Sequence, residues 1–433
     1  MKKTIRLILF TLILSLLFAV AFACEPGDNS NAGNTSVESG ALNESDGNGS
    51  ASESEENEED EDDPFDEIER ESIEITFEPS DDKYFTFTAE NGACCAYLNE
   101  EYSETERETG EAMFPSHITV PSTHEGLPVT TFAIPNIRYV TTSVKSIAFP
   151  KSIENVYYLR MYLPNLTKIY LEEGSEHLQL KQDCLIDKNG VLLAAGASAT
   201  IPNDGSVNEI GEAAFFCCRG LNEVNIPDGV KKIGSGAFAC TNLKKLNIGK
   251  DVEETDESAF LCDAKISRIT VSPENKKFYS VNNCVINKDE KTLIIGCKNS
   301  KIPSDGSVTT IGKNAFHGRI GVVRFNIIEW IENDKCYVLP RDGEFEPVDF
   351  EIPEGVTTLN DVFTSCSIAR LKLPKSLTMI ERNAFDWVTN LETIEFHGTK
   401  KEWEEIKGIN NVFSSGSPKT KIIFTEEPAE TEE

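Results

Sequence analysis

The sequence predicts a β-dominated solenoid of the α/β type, and the evidence for it is repetition. The segment "IPDGVKKIGSGAFACTNLKKLNI" (226–248) returns three more times along the chain in altered form. A period in the low twenties is typical of solenoids. We therefore expect a right-handed array of 22–23-residue coils with short parallel strands, two β-hairpin insertions and terminal caps. The phenylalanines that mark the period, 22 or 23 residues apart within each run, are Phe215, Phe238 and Phe260, and then Phe363 and Phe385.

Each part of one repeat has a physical role. In "LNEVNI" (221–226) apolar residues alternate with Glu223 and Asn225, and this spacing predicts a short parallel strand with one buried side. Pro227 ends the strand because proline has no N–H to give to the next strand. Phe238 fills the interior between coils. Since no coil can bury its own core, stability has to come from stacking.

A second, longer repeat is superposed on the first. Residues 178–215 match residues 278–316, and the central stretches 184–193 and 284–293 predict strand–turn–strand hairpins. The segment "DKNG" (187–190) lacks most of the ligand spacing of a calcium loop, so we interpret it as a turn and expect no metal.

The cysteines follow the repeat. The pattern predicts equivalent places for Cys218, Cys240, Cys262 and Cys366 in successive coils, with Val388 in that place in the last. A valine there indicates a small, buried, apolar site, so we expect buried and unbridged thiols. Adjacent coils about 5 Å apart would also permit a Cys218–Cys240 or Cys240–Cys262 disulfide. No C-x-x-C spacing supports zinc.

The N-terminus predicts export. Residues 1–23 combine a basic start with an apolar run that is short for a permanent membrane helix, as in a signal peptide. The segment "VAFAC" (20–24) resembles a bacterial lipobox, so we expect a lipid on Cys24 that holds the chain to the outer face of the cytoplasmic membrane. The alternative is ordinary cleavage after "AFA" (21–23), which would leave the protein secreted.

Residues 24–75 predict a disordered acidic tether. Within 25–74 there are 19 acidic residues and one basic residue. With few apolar side chains, the segment cannot offset its ordering entropy. The whole chain has 41 Lys and Arg against 73 Asp and Glu, a formal net charge of -32. That charge argues against nucleic acid as a partner and against membrane contact other than through the lipid.

The motif Ile-Gly-x-x-Ala-Phe-x-x-Cys-x-x-Leu, followed by Ile-Pro-x-x-Val, resembles the BspA-like leucine-rich repeats of bacterial surface proteins. The resemblance covers roughly 118–396, and 133–177 and 325–347 depart from it. It implies a leucine-rich-repeat array as the fold and a surface scaffold as the role, without naming a ligand.

The segments that flank the array predict caps. Residues 76–117 form the N-terminal β cap, with a hairpin turning at Asn91-Gly92, and 397–425 form the C-terminal cap, with Trp403 on a short helix. Residues 426–433 predict a disordered tail.

No pattern in the chain predicts catalysis. The five histidines fall at unrelated places, and neither a Gly-x-Ser-x-Gly motif nor a phosphate-binding loop is present. We expect a monomer without enzymatic activity or cofactor. The function that we expect first is recognition of, or adhesion to, a protein or glycan at the cell surface. The alternative is a structural envelope protein without a tight ligand of its own. An enzyme would need a cluster of shifted titrating groups in a pocket.

The outward side chains of the parallel strands form the predicted ligand face, because extended solenoid faces commonly bind partners. Basic residues gather there despite the acidic chain, which favours an acidic partner, and an aromatic side chain adds a residue type enriched in binding hot spots. The alternative is that these are ordinary solvated strand positions. The residues of this ligand face are Lys168, Tyr170, Asn225, Lys245, Asn247, Arg268, Thr270, Arg370 and Lys372.

Overall fold

The structure is a computed structural model. The residues that it describes are 77–133, 141–263, 265–320, 347–364, 366–381, 384–385, 388, 390–409 and 420–426. The predicted signal peptide, Cys24, the predicted tether and the tail beyond 426 lie outside these residues, as does nearly all of the departure at 325–347.

The N-terminal part of the described chain begins with a hairpin and a helix. The hairpin turns at Asn91-Gly92, where φ is 56° and 82°, as a type I′ turn requires. The sequence does not predict the helix, because it is polar and carries no apolar period. It begins after the N-cap Asn99 and ends at Gly110, which adopts a left-handed φ of 72°. The elements are β1 (Phe85–Glu90), β2 (Ala93–Leu98), α1 (Glu100–Thr109), β3 (His117–Thr119), β4 (Thr123–His124), β5 (Leu127–Phe132), β6 (Ser146–Phe149), β7 (Asn155–Val156), α2 (Leu159–Tyr162) and β8 (Lys168–Leu171).

The stretch 141–177 keeps the coil period although its sequence departs from the motif. Strand β6 pairs in parallel with both β3 and β8, and Ser146 lies opposite Lys168, 22 residues later. The short helix α2 stands where other coils have their Ala-Phe pair, and it buries Leu159 and Tyr162 in the interior. This segment therefore forms a coil in which helix α2 replaces the Ala-Phe turn of the other coils.

The middle of the chain builds two parallel ladders. Strands of four residues form one sheet, and strands of two residues form half of another. The alternation predicted for 221–226 is confirmed: Val224 and Ile226 are buried, whereas Glu223 and Asn225 are exposed. The elements are β9 (Leu178–Lys181), β10 (Cys184–Asp187), β11 (Val191–Ala195), β12 (Glu209–Ile210), β13 (Glu223–Ile226), β14 (Lys232–Ile233), β15 (Lys245–Ile248), β16 (Glu254–Thr255) and β17 (Arg268–Val271).

The C-terminal part repeats this plan and ends in a strand and a helix. Helix α3 opens with a capping box between Thr399 and Glu402, and its Trp403 is buried with its ring centroid 5.4 Å from that of Phe396. The elements are β18 (Phe278–Val281), β19 (Cys284–Asn287), β20 (Thr292–Ile295), β21 (Thr310–Ile311), β22 (Val348–Glu351), β23 (Thr358–Leu359), β24 (Ile368–Leu373), β25 (Met379–Ile380), β26 (Thr393–Phe396), α3 (Lys400–Glu405) and β27 (Lys421–Phe424).

Both predicted hairpins form, and each gains a strand that the sequence did not reveal. Strand β9 pairs antiparallel with β10, and β18 pairs in the same way with β19. The extra turns are Gln182-Asp183 and Asn282-Asn283, all four with positive φ. Each insertion is therefore a three-stranded antiparallel meander, and its last strand continues into the ladder of two-residue strands.

Stacked phenylalanines fill the interior of the coils. The rings of Phe215 and Phe238 are parallel with centroids 5.0 Å apart, and Phe260 continues the stack at 5.2 Å. Gly234 allows the neighbouring coils to approach this closely, because a Cβ there would lie 2.9 Å from the backbone nitrogen of Glu212. The predicted solenoid is confirmed by the parallel pairing and by this shared core.

Candidate ligand-binding face

The structure divides the predicted ligand face among three parallel sheets. Lys168 and Tyr170 lie on β3-β6-β8, Arg370 and Lys372 lie on β22-β24-β26-β27, and the other five predicted residues lie on β13-β15-β17. A meander follows β8 and another follows β17 in the chain, so the predicted face is three separate surfaces instead of one continuous ladder.

The sheet β13-β15-β17 carries two outward rows. Glu223, Lys245 and Arg268 stand opposite one another in one row, and Asn225, Asn247 and Thr270 do so in the second. The amide Nδ2 of Asn247 donates to Oδ1 of Asn225 at 2.6 Å, and the hydroxyl of Thr270 donates to Oδ1 of Asn247. These side chains are fixed by one another, so the amide row is preorganised.

Carboxylates neutralise most cations of the face. Lys245 lies 3.8 Å from Glu223, and Lys372 lies 3.7 Å from Glu351. Lys168 pairs with Asp183 in the turn of the first meander. Such partly exposed pairs contribute about 0–1 kcal/mol each to stability, but they reduce the positive field that a ligand meets. The sequence could not show this, because the carboxylates lie 15 to 22 residues away along the chain.

Two arginines differ from the lysines. Arg268 and Arg370 are both exposed and project from the outward side of their strands. Among the residues that the structure describes, no carboxylate oxygen lies within 4 Å of either guanidinium. Arg370 stands opposite Asp349 and Thr393 in the register of its sheet. The unneutralised positive charge of the predicted face is therefore concentrated at these two positions.

Tyr170 is less available than the sequence suggests. It is half-buried, and its ring meets the imidazole of His117 edge-on at 5.9 Å. His117 hydrogen-bonds in turn to the hydroxyls of Ser146 at 2.8 Å and Thr119 at 3.2 Å. Burial lowers the pKa of His117, so the imidazole is neutral at pH 7. Tyr170 therefore packs against a cluster of polar side chains and is only partly accessible to a ligand.

The predicted equivalence of the four cysteines is wrong, because Cys218 and Cys366 lie one residue further along their coils than Cys240 and Cys262 do. The backbone N–H of Cys217 donates to Ala239, next to Cys240, and that of Cys240 donates to Leu261, next to Cys262. Cys217, Cys240 and Cys262 also share a left-handed φ of 55° to 62°. The thiol in line with Cys240 is therefore that of Cys217, and the alternative Cys218–Cys240 pairing loses its basis. Cys218 is buried, whereas Cys240 and Cys262 are half-buried.

The described residues offer little that suggests other chemistry. Their His, Cys, Asp and Glu side chains form no group of three or more that could hold a metal ion. None of the helices in this part of the chain is both long and apolar enough to pass through a membrane.

Comparison with solved structures finds leucine-rich-repeat proteins. A leucine-rich repeat protein from Eubacterium ventriosum shares 14% identity, with 75% of this chain and 73% of that chain covered and a TM-score of 0.40. A leucine rich cell surface protein from Faecalibacterium prausnitzii shares 19% identity, with 78% and 98% covered and a TM-score of 0.38. The pneumococcal vaccine antigen PcpA shares 15% identity, with 79% and 96% covered and a TM-score of 0.37. No curated protein matches the chain.

The comparison with family models is more specific. Residues 197–319 and 345–431 match the BspA type leucine rich repeat region, in six copies. These residues include most of the strands after residue 197, the stacked phenylalanines, and both Arg268 and Arg370. The matched segments of this chain thus carry leucine-rich repeats of the BspA type.

Proposed function

We propose that the protein is a non-catalytic surface scaffold that binds a protein or glycan through the outward sides of its parallel sheets. The observation that carries the proposal is the pair Arg268 and Arg370. Each presents an exposed guanidinium without a described carboxylate partner, on a chain whose net charge is -32. The family of the array supports a scaffold role.

The chemistry of the partner follows from these two side chains. A guanidinium binds carboxylate or sulfate groups through paired N–H donors, so the proposed ligand carries such groups at intervals along its length. The preorganised amide row beside Arg268 offers donors and acceptors for hydroxyl groups. The surfaces are open and have few aromatic side chains, so we expect weak binding that gains strength from multiple contacts.

The test is a binding screen of the purified protein against uronic-acid and sulfated glycans, neutral glycans and acidic host matrix proteins. Arg268→Glu and Arg370→Glu are expected to lower capture of an acidic ligand about tenfold each, equivalent to about 1.4 kcal/mol. Lys231→Glu is the matched control, since this exposed lysine lies next to the two-residue strand β14 on the other ladder. Unchanged capture by the double arginine variant would remove the proposed site.

A structural envelope role is the second candidate, and one observation favours it. The outward residues of β13-β15-β17 bond largely to one another, as a face without a ligand would. Absence of binding across the whole panel, by a protein with a normal unfolding transition, would support this role.

The proposed location is the outer face of the cytoplasmic membrane, through a lipid on Cys24. It is supported by the apolar run 7–23 and the "VAFAC" segment (20–24). Replacing Cys24 with Ser is expected to move the protein from the membrane fraction to the medium. If the variant stays with the membranes in the same amount as the wild type, the lipid anchor is wrong.

A further inference from the structure

Three thiols lie side by side across three successive coils. Cys217, Cys240 and Cys262 occupy the same place in their coils, and backbone hydrogen bonds of 2.9 to 3.0 Å join those coils at this point. Adjacent backbones in such a ladder are about 5 Å apart, which is within the Cα–Cα range of a disulfide. Both neighbours, Cys217 and Cys262, lie close enough to act on the pKa of Cys240. All three are free in the structure.

The end thiol of this row has a different environment from the other two. Cys240, the imidazole of His317 and the guanidinium of Arg319 all lie close enough to act on the charge of Cys262. Arg319 is buried and donates to the backbone oxygens of Asn314 and Ala315, and its Nε and Nη1 have no partner among the described residues. Cys240 and the nearby His317 and Arg319 hold the pKa of Cys262 well below its usual range.

The middle thiol, that of Cys240, has a pKa shifted in the opposite direction. The neighbouring Cys217 and Cys262, together with burial, raise the pKa of Cys240 well above its usual range. Cys240 and Cys262 are nevertheless half-buried residues at the coil corner, unlike Cys366, which is fully buried. Burial raises the pKa of Cys366 to about 11. Cys262 therefore has a lowered thiol pKa, and Cys240, its neighbour in the ladder, has a raised one.

We propose that Cys262 and Cys240 form a redox-active dithiol that exchanges with small external disulfides. Cys262 Sγ attacks one sulfur of the external disulfide, forms a mixed disulfide and releases one small thiolate. Cys240 then loses its proton and attacks Cys262 Sγ, and the second small thiolate leaves. The two cysteines lose two electrons and two protons together, and the external disulfide becomes two thiols. The product is a covalent link between two adjacent coils.

The experiment uses the purified full chain in glutathione buffers of increasing oxidised fraction. Free thiols are then alkylated, and the digested peptides are identified by mass spectrometry. We expect a Cys240–Cys262 peptide in oxidising buffer that disappears on reduction. In Cys240→Ser, the mixed disulfide with glutathione should accumulate on Cys262, because the resolving thiol is absent. At pH 7, Cys262 should be alkylated at least about tenfold faster than Cys366, because the thiolate is the reactive form.

Two further variants separate reactivity from simple proximity. His317→Gln is expected to slow alkylation of Cys262 several-fold without changing that of Cys95, which lies in the distant hairpin strand β2. Cys217→Ser should leave the Cys240–Cys262 link intact. The proposal is overturned if no linked peptide forms at the most oxidising ratio, if Cys262 links to another cysteine instead, or if Cys262 and Cys366 react at the same rate in the folded protein.

Discussion

Glu106 is a buried carboxylate that ties helix α1 to the loop before the second coil. Its Oε1 accepts hydrogen bonds from the hydroxyl of Thr141 and the N–H of Thr142, both at 2.7 Å. The N–H of Ser143 donates to the same oxygen at 3.0 Å, and its hydroxyl donates to Oε2 at 2.6 Å. Burial raises the pKa of Glu106, but the hydrogen bonds from Ser143, Thr141 and Thr142 outweigh it, and the net pKa lies below the usual value.

Replacing Glu106 with Gln should lower the free energy of unfolding by about 2 to 3 kcal/mol at pH 7, because charge-assisted hydrogen bonds are lost. A depressed folded-state pKa stabilises the protein above the unfolded-state value near 4.5. The difference between wild type and variant should therefore be full above that pH and shrink as the pH falls through the folded-state pKa. Urea unfolding at several pH values measures it. Glu108→Gln, on the exposed side of the same helix, is the control. A gap that did not change with pH would contradict this account.

At the residue scale, the sequence predicts well whether a strand residue faces the core or the solvent. It predicts less well which other residues that side chain contacts. Val224 and Asn225 were assigned correctly because a period of two fixes the facing of every strand residue. The pairing of Lys168 with Asp183 was beyond reach, since it depends on where a turn falls in space. Either cysteine of the adjacent pair Cys217-Cys218 could lie in line with Cys240 in the next coil. Only the register of the backbone hydrogen bonds shows which one does.

At the element scale, the second meander closes the edge of a parallel sheet. Strand β17 is the last strand of its sheet, and two of its N–H groups donate to side chains of the meander. The N–H of Ile269 donates to Asn283 at 3.1 Å, and that of Val271 donates to the hydroxyl of Ser280 at 2.9 Å. An open edge could pair with another chain, so these side chains protect the sheet.

Replacing Ser280 with Ala should lower the unfolding free energy by about 1 kcal/mol, because the N–H of Val271 loses its acceptor. The same change should raise hydrogen exchange at the Val271 amide more than at Leu246 in the middle of the sheet. Ser267→Ala is the control, because that hydroxyl makes only a bond of 3.4 Å to Lys244. Equal exchange at Val271 in wild type and Ser280→Ala would show that the hydroxyl does not cap the strand.

The extra strands of the meanders were missed for a physical reason. Strand β9 is four residues long, and only its first residue, Leu178, is fully buried. Its turn, Gln182-Asp183, has no glycine, although both residues adopt a positive φ of 49° and 60°. The turn Asn91-Gly92 has the residues that such a geometry favours, and it was predicted correctly.

At the scale of the whole molecule, the described chain has three hydrophobic clusters, and each meander stands between two of them. Strand β10 turns Leu185 to the N-terminal cluster and Ile186 to the middle one. Strand β19 turns Val285 to the middle cluster and Ile286 to the C-terminal one. Both strands carry apolar side chains on their two faces. An ordinary strand of a solenoid has one apolar face and one face turned to solvent. The meanders are therefore internal walls of the array.

This arrangement makes neighbouring residues of one strand report on different parts of the protein. Val285→Ala and Ile286→Ala each create a cavity and should each lower stability by about 2 to 4 kcal/mol. Because stability in a stacked array is the sum of local and nearest-neighbour terms, the loss should be local. Val285→Ala should speed amide exchange mainly in strands β13, β15 and β17, and Ile286→Ala mainly in β24 and β26.

Hydrogen exchange followed by mass spectrometry separates the two cases, with Glu290→Ala in the exposed turn of the same meander as the control. In each variant, the exchange rates of strands in the unaffected cluster serve as an internal reference for those in the affected cluster. If both variants loosened the same strands to the same extent, the clusters would unfold as one unit. The meander would then couple the two parts of the array instead of separating them, and the local picture of stability would be wrong for this chain.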